Sequence, residues 1–325
     1  MIHSGTDPAA IAEAARLIRS GELIGLPTET VYGLGADASN DAAVALIFAA
    51  KGRPSNHPLI VHIAEAQQVL DYASSVPPFA ARLIAAFWPG PLTLILPRKP
   101  GVATAAAGGQ DSIGLRCPSH PVAQALLKAC RTGVAGPSAN RFGRVSPTTA
   151  AHVADELGDD LFVLDGGPCD VGIESTIVDC TRGQPVLLRP GVLTRAQLEA
   201  ACAEPVLDNQ ALATNAPRAS GTLASHYAPN AKVRLMNKAE LQAALAAVEP
   251  SRRIAVYAHS IAEINEASVL FRAMPQQASQ VAHELFAVLR EFDAQGVTQI
   301  WVEALPAATE WDGVRDRLMR AAVQP

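Results

Sequence analysis

The chain has 325 residues, of which 49% are hydrophobic and 18% are charged, and its formal net charge at pH 7 is −5. A chain of this length can bury one large core or two moderate ones, and two domains are the better prediction. Residues 1–204 carry 15 Lys and Arg against 19 Asp and Glu, and the remainder carries 11 against 12. Neither half therefore provides the basic surface that tight nucleic-acid binding requires.

The five cysteines are odd in number, widely spaced and without a C-x-x-C motif, which argues against a disulfide framework and a zinc site. We expect buried thiols in a reducing compartment. The N-terminus carries Asp7 and Glu13 where a signal peptide needs a basic start. No apolar run approaches the roughly 18 residues of a membrane span. The sequence thus predicts a soluble, cytoplasmic protein that does not interact with membranes.

The first two hundred residues alternate between predicted helices and short strands. Asp7-Pro8 is typical of an N-cap followed by a first-turn proline, and Gly21 follows the end of this helix. A strand at 23–26 ends at Pro27, and a helix capped by Asn40 or Asp41 runs into Lys51-Gly52-Arg53-Pro54, where the proline ends it. The remaining predicted elements are a strand at 59–63, helices at 65–72 and 78–87, a strand at 92–96, a loop at 101–110, a strand at 112–115, a helix at 121–130, a strand at 134–135, a helix from Ser146-Pro147 through Leu157, strands at 161–164, 175–178 and 186–188, and a helix opened by the capping box Thr194-x-x-Gln197.

The periodicity typical of helices and strands stops after the capping-box helix and resumes later as a regular alternation of strands and helices. Three prolines and three asparagines without periodicity predict a linker, so we divide the chain into domains at 1–203 and 232–325 joined by a linker at 204–231. The second domain reads as strand 232–235, helix 238–248, strand 254–257, helix 279–295, strand 299–303 and helix 312–322. This alternation predicts a small Rossmann-like parallel sheet, here without a glycine-rich phosphate fingerprint.

Polar residues recur at the ends of predicted strands in the first domain, where open α/β sheets bind ligands. They are Thr28, Thr30, His62, Arg116, Ser138, Asn140, Ser175 and Arg189. Each alone is commonly a turn, a cap, a core residue or a salt bridge. Lys51 and Arg53 flank a glycine that allows close backbone approach, and this arrangement suits a polyanion.

Five sequence blocks together resemble the YrdC-like family of threonylcarbamoyl-AMP synthases. The blocks are PTETVYGLG at 27–35, KGRPSNHPL at 51–59 with a strand ending in His62, SIGLR at 112–116, GPSAN at 136–140 with Ser146-Pro147-Thr148, and ESTIVD at 174–179 with LRPG at 188–191. The rest resembles the C-terminal domain of the family's long form, including HYAP at 226–229. The resemblance implies an α/β fold in which a YrdC-like twisted mixed sheet with helices is joined by a long linker to a small Rossmann-like parallel α/β domain.

The resemblance also implies an activity. Members of the family make threonylcarbamoyl-AMP and pyrophosphate from L-threonine, bicarbonate and ATP, which makes them nucleotidyltransferases. The product serves the threonylcarbamoylation of tRNA adenosine 37, so the expected partner is a tRNA threonylcarbamoyl transferase complex, and direct tRNA contact would be weak. Mg²⁺ is expected with ATP and would be bound mostly by phosphates and water, with no metal site built from protein side chains.

Site roles follow from the resemblance residue by residue. Lys51 and Arg53 would hold the triphosphate as catalytic residues, with His57 nearby. Further nucleotide contacts would come from Ser112, Ser138, Asn140, Ser146, Arg189 and Tyr227. L-threonine would be held by Thr30, His62, Arg116, Ser175 and the backbone of Gly136. Such a site needs no side-chain nucleophile, since orientation alone can supply roughly 7–11 kcal/mol.

Two positions depart from the family pattern, and two acidic residues have no assigned role. Phe142 stands where the family usually has serine, and His57 stands where many members have asparagine. Glu29 and Glu174 have no role that the resemblance supplies. We also hypothesise that the linker is a lid, in which Tyr227 reaches over the nucleotide and water is excluded from the reactive anhydride.

Two other functions compete with this interpretation. An RNA-binding module of the same fold would lack adenylate-forming activity, but the acidic first domain and an aromatic content of 5% argue against it. Carbamoyl transfer from carbamoyl phosphate in hydrogenase maturation would need zinc-finger and acylphosphatase segments, for which the chain has no room. Serine in place of threonine would cost only about 1–3 kcal/mol in binding, so selectivity between them stays open.

Overall fold

The computed structural model describes residues 1–209, 216–222, 226–249, 252–262, 264 and 266–323. The chain forms two compact units. The first comprises Met1–Phe142 and Ser146–Thr222, and the second comprises Gly143–Val145 and Leu223–Pro325. The predicted linker therefore contributes 204–209 and 216–222 to the first unit and 226–231 to the second, while its residues 210–215 and 223–225 lie outside the described residues.

The first unit is built on a mixed sheet of eleven strands in the order β1-β8-β2-β3-β7-β4-β6-β5-β9-β10-β11. The strands are β1 Ile2–Ser4, β2 Ile24–Leu26, β3 Gly33–Asp37, β4 Ile60–His62, β5 Leu92–Pro97, β6 Ser112–Arg116, β7 Val134–Ala135, β8 Phe162–Asp165, β9 Thr176–Asp179, β10 Val186–Arg189 and β11 Leu207–Asp208. The helices are α1 Pro8–Arg19, α2 Asp41–Lys51, α3 Val69–Tyr72, α4 Pro78–Phe87, α5 Pro121–Cys130, α6 Ala150–Leu157 and α7 Arg195–Cys202. The predicted mixed α/β sheet is confirmed.

The helix before the Lys51 motif ends at a glycine. Asn40 caps α2 by accepting from the N–H groups of Ala42 and Ala43, as expected. The helix ends at Lys51 because Gly52 adopts a left-handed conformation with φ of 61°, so the prediction that Pro54 ends it was wrong. Lys51 is therefore the last residue of the helix, and Arg53 lies in the following loop.

Side chains alternate between two faces along the three central strands β4, β5 and β6. Val61, Ile113 and Leu115 belong to the main hydrophobic core, as do the even-numbered leucines of β5, which are Leu92, Leu94 and Leu96. Successive side chains of a strand point to opposite faces. The intervening residues Ile60, His62, Thr93, Ile95, Ser112, Gly114 and Arg116 therefore share the other face, which we call the site face.

Three strands and one helix start of the first unit were not predicted correctly. Strands β1, β3 and β11 were missed, and β3 contains glycines with low strand propensity. A methyl group on Gly35 would lie 2.9 Å from Cδ2 of Leu26, so close packing explains this glycine. Helix α6 is capped by Thr149 instead of Ser146, because the Ser146 hydroxyl donates to the Glu174 carboxylate.

The second unit contains a parallel sheet of four strands in the order β12-β15-β13-β14. Its elements are β12 Lys232–Met236, α8 Lys238–Ala246, β13 Ile254–Ala258, β14 Val269–Ala273, α9 Ala278–Ala294, β15 Gln299–Glu303 and α10 Asp312–Ala322. The predicted parallel α/β arrangement is confirmed. Edge strand β14 was missed, and its partly exposed Phe271 and exposed Arg272 explain the weak pattern. Throughout the described parts of both units, no helix combines the length and the apolar character needed to cross a membrane.

Candidate active site

A small pocket lies on the site face of the first unit. Its floor comes from the sheet, including Ser112 and Gly114, and the 216–222 segment contributes Arg218, Ala219 and Ser220 to its lining. Arg218 anchors this segment, because its N–H donates to Oε1 of Gln110 at 2.8 Å and its guanidinium donates to the Gly108 carbonyl at 3.1 Å. We did not predict that the 216–222 segment lines the pocket, because its sequence has neither helix nor strand periodicity.

Lys51 is buried, with 3% of its surface exposed. Its Nζ donates to the Ser138 carbonyl at 2.5 Å and to the Asn140 carbonyl. Burial, and next the neighbouring Arg53 cation, hold the pKa of Lys51 well below its usual range, although Glu156 and Glu174 oppose this. The side-chain nitrogen of Lys51 is thus held by two carbonyl groups of the GPSAN block, and a negative ligand nearby would raise its pKa.

Arg53 connects the Lys51 loop to the 216–222 segment. Its Nη2 donates to the Pro58 carbonyl at 2.9 Å and to the Ser220 hydroxyl at 3.3 Å. The guanidinium carbon lies 5.8 Å from the centre of the Phe142 ring. His57 packs edge-on against the same ring, and burial followed by the charges of Arg53 and Arg218 lowers its pKa.

Arg189 reaches the site from β10. Its Nε and Nη2 donate to the Ser175 carbonyl at 3.1 and 2.8 Å, and Nη2 also donates to the Ser175 hydroxyl at 3.1 Å. Its Nη1 donates to the Ser220 carbonyl at 3.0 Å, and the Ser175 hydroxyl lies 2.7 Å from that of Thr93. Ser220 therefore contacts both Arg53 and Arg189, which brings two predicted nucleotide residues together.

Arg116 is the centre of a second buried group of residues. Its Nη1 donates to the Thr30 hydroxyl at 2.7 Å, and its Nε donates to the Gly90 carbonyl at 3.2 Å. Its Nη2 lies 2.6 Å from Oε1 of Glu29 in an ion pair with little solvent exposure. Burial alone would raise the pKa of the Glu29 carboxyl, but Arg116 outweighs it and holds that pKa below its usual value.

His62 is the direct neighbour of Arg116 across strands β4 and β6, so both side chains lie on the site face. Burial, and next the charge of Arg116, lower the pKa of His62 to about 3, against an opposing effect of Glu29. The imidazole is therefore neutral at physiological pH. A methyl group on Gly136 would lie 2.9 Å from Nδ1 of His62, so the glycine leaves room for the ring.

The structure brings the predicted residues of the first unit into two adjoining groups. In the first group, Ser112 lines the pocket, and Arg53 and Arg189 both contact its lining residue Ser220. Lys51 donates to the carbonyls of Ser138 and Asn140, and His57 and Arg53 contact the same Phe142 ring. The second group consists of Thr30, His62, Arg116 and Gly136. Ser175 contacts Arg189 and Thr93, and Ser146 donates to the buried carboxylate of Glu174. Sequence reasoning missed the roles of Glu29, Glu174 and Ser220, whose partners are distant in the chain.

Tyr227 is the predicted site residue that lies in the second unit. Its ring packs against Phe286 with 5.5 Å between centroids, and the Arg317 guanidinium carbon lies 5.3 Å from its centre. The backbone of Tyr227 is left-handed, with φ of 63°. The described residues contain no group of three or more His, Cys, Asp or Glu side chains able to hold a metal ion.

Comparison with known proteins covers nearly the whole chain. A family model described as "Telomere recombination" matches residues 16–191, and one described as "Threonylcarbamoyl-AMP synthase, C-terminal domain" matches residues 193–323. The threonylcarbamoyl-AMP synthase of Bacillus subtilis is 40% identical, over 98% of this chain and 94% of its own. That of Pyrococcus abyssi is 37% identical, over 95% and 93%. The crystal structure of P. abyssi Sua5 complexed with L-threonine has a TM-score of 0.86 at 36% identity, covering 96% of this chain and 94% of that one.

Proposed function

Because the chain belongs to the threonylcarbamoyl-AMP synthase family in its long form, we propose that it is an L-threonylcarbamoyladenylate synthase. It makes threonylcarbamoyl-AMP and pyrophosphate from L-threonine, bicarbonate and ATP, as a nucleotidyltransferase. Its product passes to a tRNA threonylcarbamoyl transferase complex for modification of tRNA adenosine 37.

One observation carries the proposal. The buried residues Arg116, His62 and Thr30 lie on the same sheet as a pocket whose lining residue Ser220 contacts Arg53, and Arg53 follows the buried Lys51 by two residues. A guanidinium suits a carboxylate, and paired Lys and Arg suit phosphate oxygens. A reaction that joins an amino acid to a nucleotide needs both kinds of subsite side by side.

The proposed mechanism depends on positioning and charge stabilisation. The threonine ammonium loses its proton, and the neutral amine combines with bicarbonate to form an N-carboxylate with release of water. This carboxylate attacks the α-phosphate of ATP, from which pyrophosphate leaves. In its protonated form Lys51 uses two of its three N–H donors on carbonyl groups, which leaves one for a phosphate oxygen. The negative charge of the bound triphosphate would favour this protonated form.

Magnesium fits this site as a counter-ion of the nucleotide. Within the described residues no three acidic or metal-ligating side chains converge, so phosphate oxygens and water would supply most of its ligands. The nucleotide would contact Arg53, Arg189 and Ser220, which are joined by hydrogen bonds at the pocket. The predicted contact of Tyr227 with the nucleotide stays a prediction.

The test is pyrophosphate release by the purified protein with ATP, Mg²⁺, bicarbonate and L-threonine, each omitted in turn. We expect release to require threonine and bicarbonate, and kcat to fall by about 10²–10³ in Lys51→Ala, because a preorganised charged donor is lost. Lys128→Ala is the matched control, since Lys128 is exposed on α5. Release that is indifferent to threonine would refute the proposal and would favour a nucleotide-binding or RNA-binding role.

A further inference from the structure

Three buried polar groups of the Arg116 cluster leave hydrogen-bonding capacity unused among the described residues. They are both carboxylate oxygens of Glu29, Nη2 of Arg116 and Nδ1 of His62. Nη2 of Arg116 lies 2.6 Å from Oε1 of Glu29, and the backbone N–H groups of Glu29 and Ser119 are near this carboxylate, but a carboxylate has about four acceptor sites and these groups do not fill them all. Buried polar atoms in native proteins are nearly always paired. Such a concentration of unused groups indicates a place that a polar ligand completes.

The chemical types of these groups define the ligand. They comprise one anion, one cation and one neutral imidazole, because His62 has a pKa far below physiological pH. A 3-hydroxy-α-amino acid presents the complementary set, namely an ammonium group, a carboxylate and a hydroxyl group. Arg116 suits the carboxylate and the His62 ring suits the hydroxyl. The ammonium group then needs an anion, and Glu29 is the buried anion of this cluster.

We propose that Glu29 binds the α-ammonium group of the amino-acid substrate, and that Arg116 exchanges the Glu29 carboxylate for the substrate carboxylate when the substrate binds. This inference rests on the proposed function, because it concerns the threonine subsite. The exchange replaces one buried ion pair by two. Since the substrate is a zwitterion, the net charge of the buried cluster stays unchanged, and no charge is left without a partner.

A purely structural role for Glu29 would be to orient Arg116. The structure argues against it, because Arg116 is already held by the Thr30 hydroxyl and the Gly90 carbonyl. The nearby backbone N–H groups of Glu29 and Ser119 help to keep the Glu29 carboxylate ionised. The carboxylate is therefore maintained as an anion in a position where the guanidinium does not need it for orientation.

The experiment is a double cycle that varies the protein and the ligand. Binding of L-threonine and of (R)-3-hydroxybutyrate, which is threonine without its amino group, is measured by ligand-observed NMR on the wild type and on Glu29→Gln. Loss of one charged hydrogen bond weakens binding roughly 10- to 100-fold. Relative to threonine binding by the wild type, we expect this weakening for the analogue bound to the wild type and for threonine bound to Glu29→Gln. The analogue should bind both proteins within about threefold, because the two losses remove the same interaction.

Asp179→Asn is the matched control, since Asp179 is another buried carboxylate and pairs with Arg182 at 2.5 Å. Its threonine affinity should equal that of the wild type. If Glu29→Gln weakens threonine and the analogue by the same factor, Glu29 acts only through Arg116 and the inference is wrong.

If Glu29→Gln does not fold, the affinities of the wild type for threonine and for the analogue still test the inference. An analogue that binds as tightly as threonine would show that no group pairs with the ammonium. Failure of the wild type to bind threonine at all would remove the proposed function together with this inference. If the wild type binds threonine and Glu29→Gln binds it equally tightly, this inference is wrong and the proposed function stands.

Discussion

The imidazole of His57 meets the ring of Phe142 edge-on, with 5.6 Å between the ring centroids and 71° between the planes. These are the two positions that we predicted to depart from the family pattern. They are in contact with each other, and Arg53 lies over the same phenylalanine ring. We predict that this pair of rings supports the binding of the triphosphate.

This contact predicts that the two positions are coupled. Phe142→Ser removes an edge-to-face contact of about 0.5–1.5 kcal/mol and a cation–π contact of about 0.5–1 kcal/mol. We expect the KM for ATP to rise about 3- to 10-fold in Phe142→Ser and in His57→Asn. The double variant should be no worse than either single variant, because both lose the same support. Strictly multiplicative effects in the four-protein kinetic comparison would contradict the coupling.

Gly136→Ala tests the space beside His62. The new methyl group would lie 2.9 Å from Nδ1 and 3.1 Å from Cε1 of the imidazole, so the ring must move. We expect the free energy of unfolding to fall by about 1–3 kcal/mol, and the KM for threonine to rise at least about tenfold if the ring contacts that substrate.

Gly114→Ala is the steric control for this substitution. Its methyl group would make only ordinary contacts, at 3.6 Å from Cγ1 of Ile60 and Cγ2 of Thr93. Urea unfolding of both variants measures the difference in stability. Equal destabilisation by the two alanines would show that the His62 ring adjusts without strain.

The depressed pKa of His62 predicts a pH dependence of stability. Its pKa is about 3 in the folded chain, against an ordinary value of 6.5. Between these two pH values the unfolded chain binds a proton that the folded chain does not, so stability falls as the pH falls below 6.5. The slope approaches about 1.4 kcal/mol per pH unit well below pH 6.5. It amounts to about 2 kcal/mol between pH 6.5 and 4.5, because the unfolded histidine is only half protonated at pH 6.5.

Urea unfolding at several pH values measures this contribution as the difference between the wild type and His62→Gln. Only the slopes of stability against pH are compared, so the stability of the variant at neutral pH does not affect the test. The variant should lose about 2 kcal/mol less than the wild type over this interval. Parallel slopes for the two proteins would mean that His62 titrates normally in the folded chain.

Arg218→Ala tests the lid hypothesis through the 216–222 segment. The substitution removes the hydrogen bond to the Gly108 carbonyl, which is a net contribution of about 1–3 kcal/mol for a charged donor. If this segment excludes water from the adenylate, the variant should release more pyrophosphate per molecule of product recovered. Arg16→Ala is the control, since Arg16 is exposed on α1. An unchanged ratio of pyrophosphate to product would argue against the hypothesis.

Local patterns predicted those parts of the molecule that local physics determines. The Asp7 and Asn40 caps and the Thr194 capping box are formed as expected, because each bond joins residues two or three positions apart. The Ser146 cap failed for a tertiary reason, since a buried carboxylate from Glu174 takes the hydroxyl group. The partnership of Glu29 with Arg116 likewise depends on strands that meet only in the folded sheet.

The site face shows the same limit. We predicted polar residues at strand ends, whereas Ser112 and Arg116 lie at opposite ends of β6 and share a face through alternation. Strand periodicity could have revealed this, because Ile113 and Leu115 are the buried alternates. The pocket residues Arg218 and Ser220 had no such signal, as their segment lacks periodicity.

The left-handed backbone of Tyr227 has a consequence for engineering. Such a conformation costs a non-glycine residue of the order of 1–3 kcal/mol, and here it accompanies packing against Phe286 and Arg317. The shape of the HYAP peptide is therefore imposed by the folded second unit and is not intrinsic to the peptide. A chimera that replaces residues 232–325 by another α/β domain would keep this turn only if the substitute supplied an aromatic ring and a guanidinium at the equivalent places.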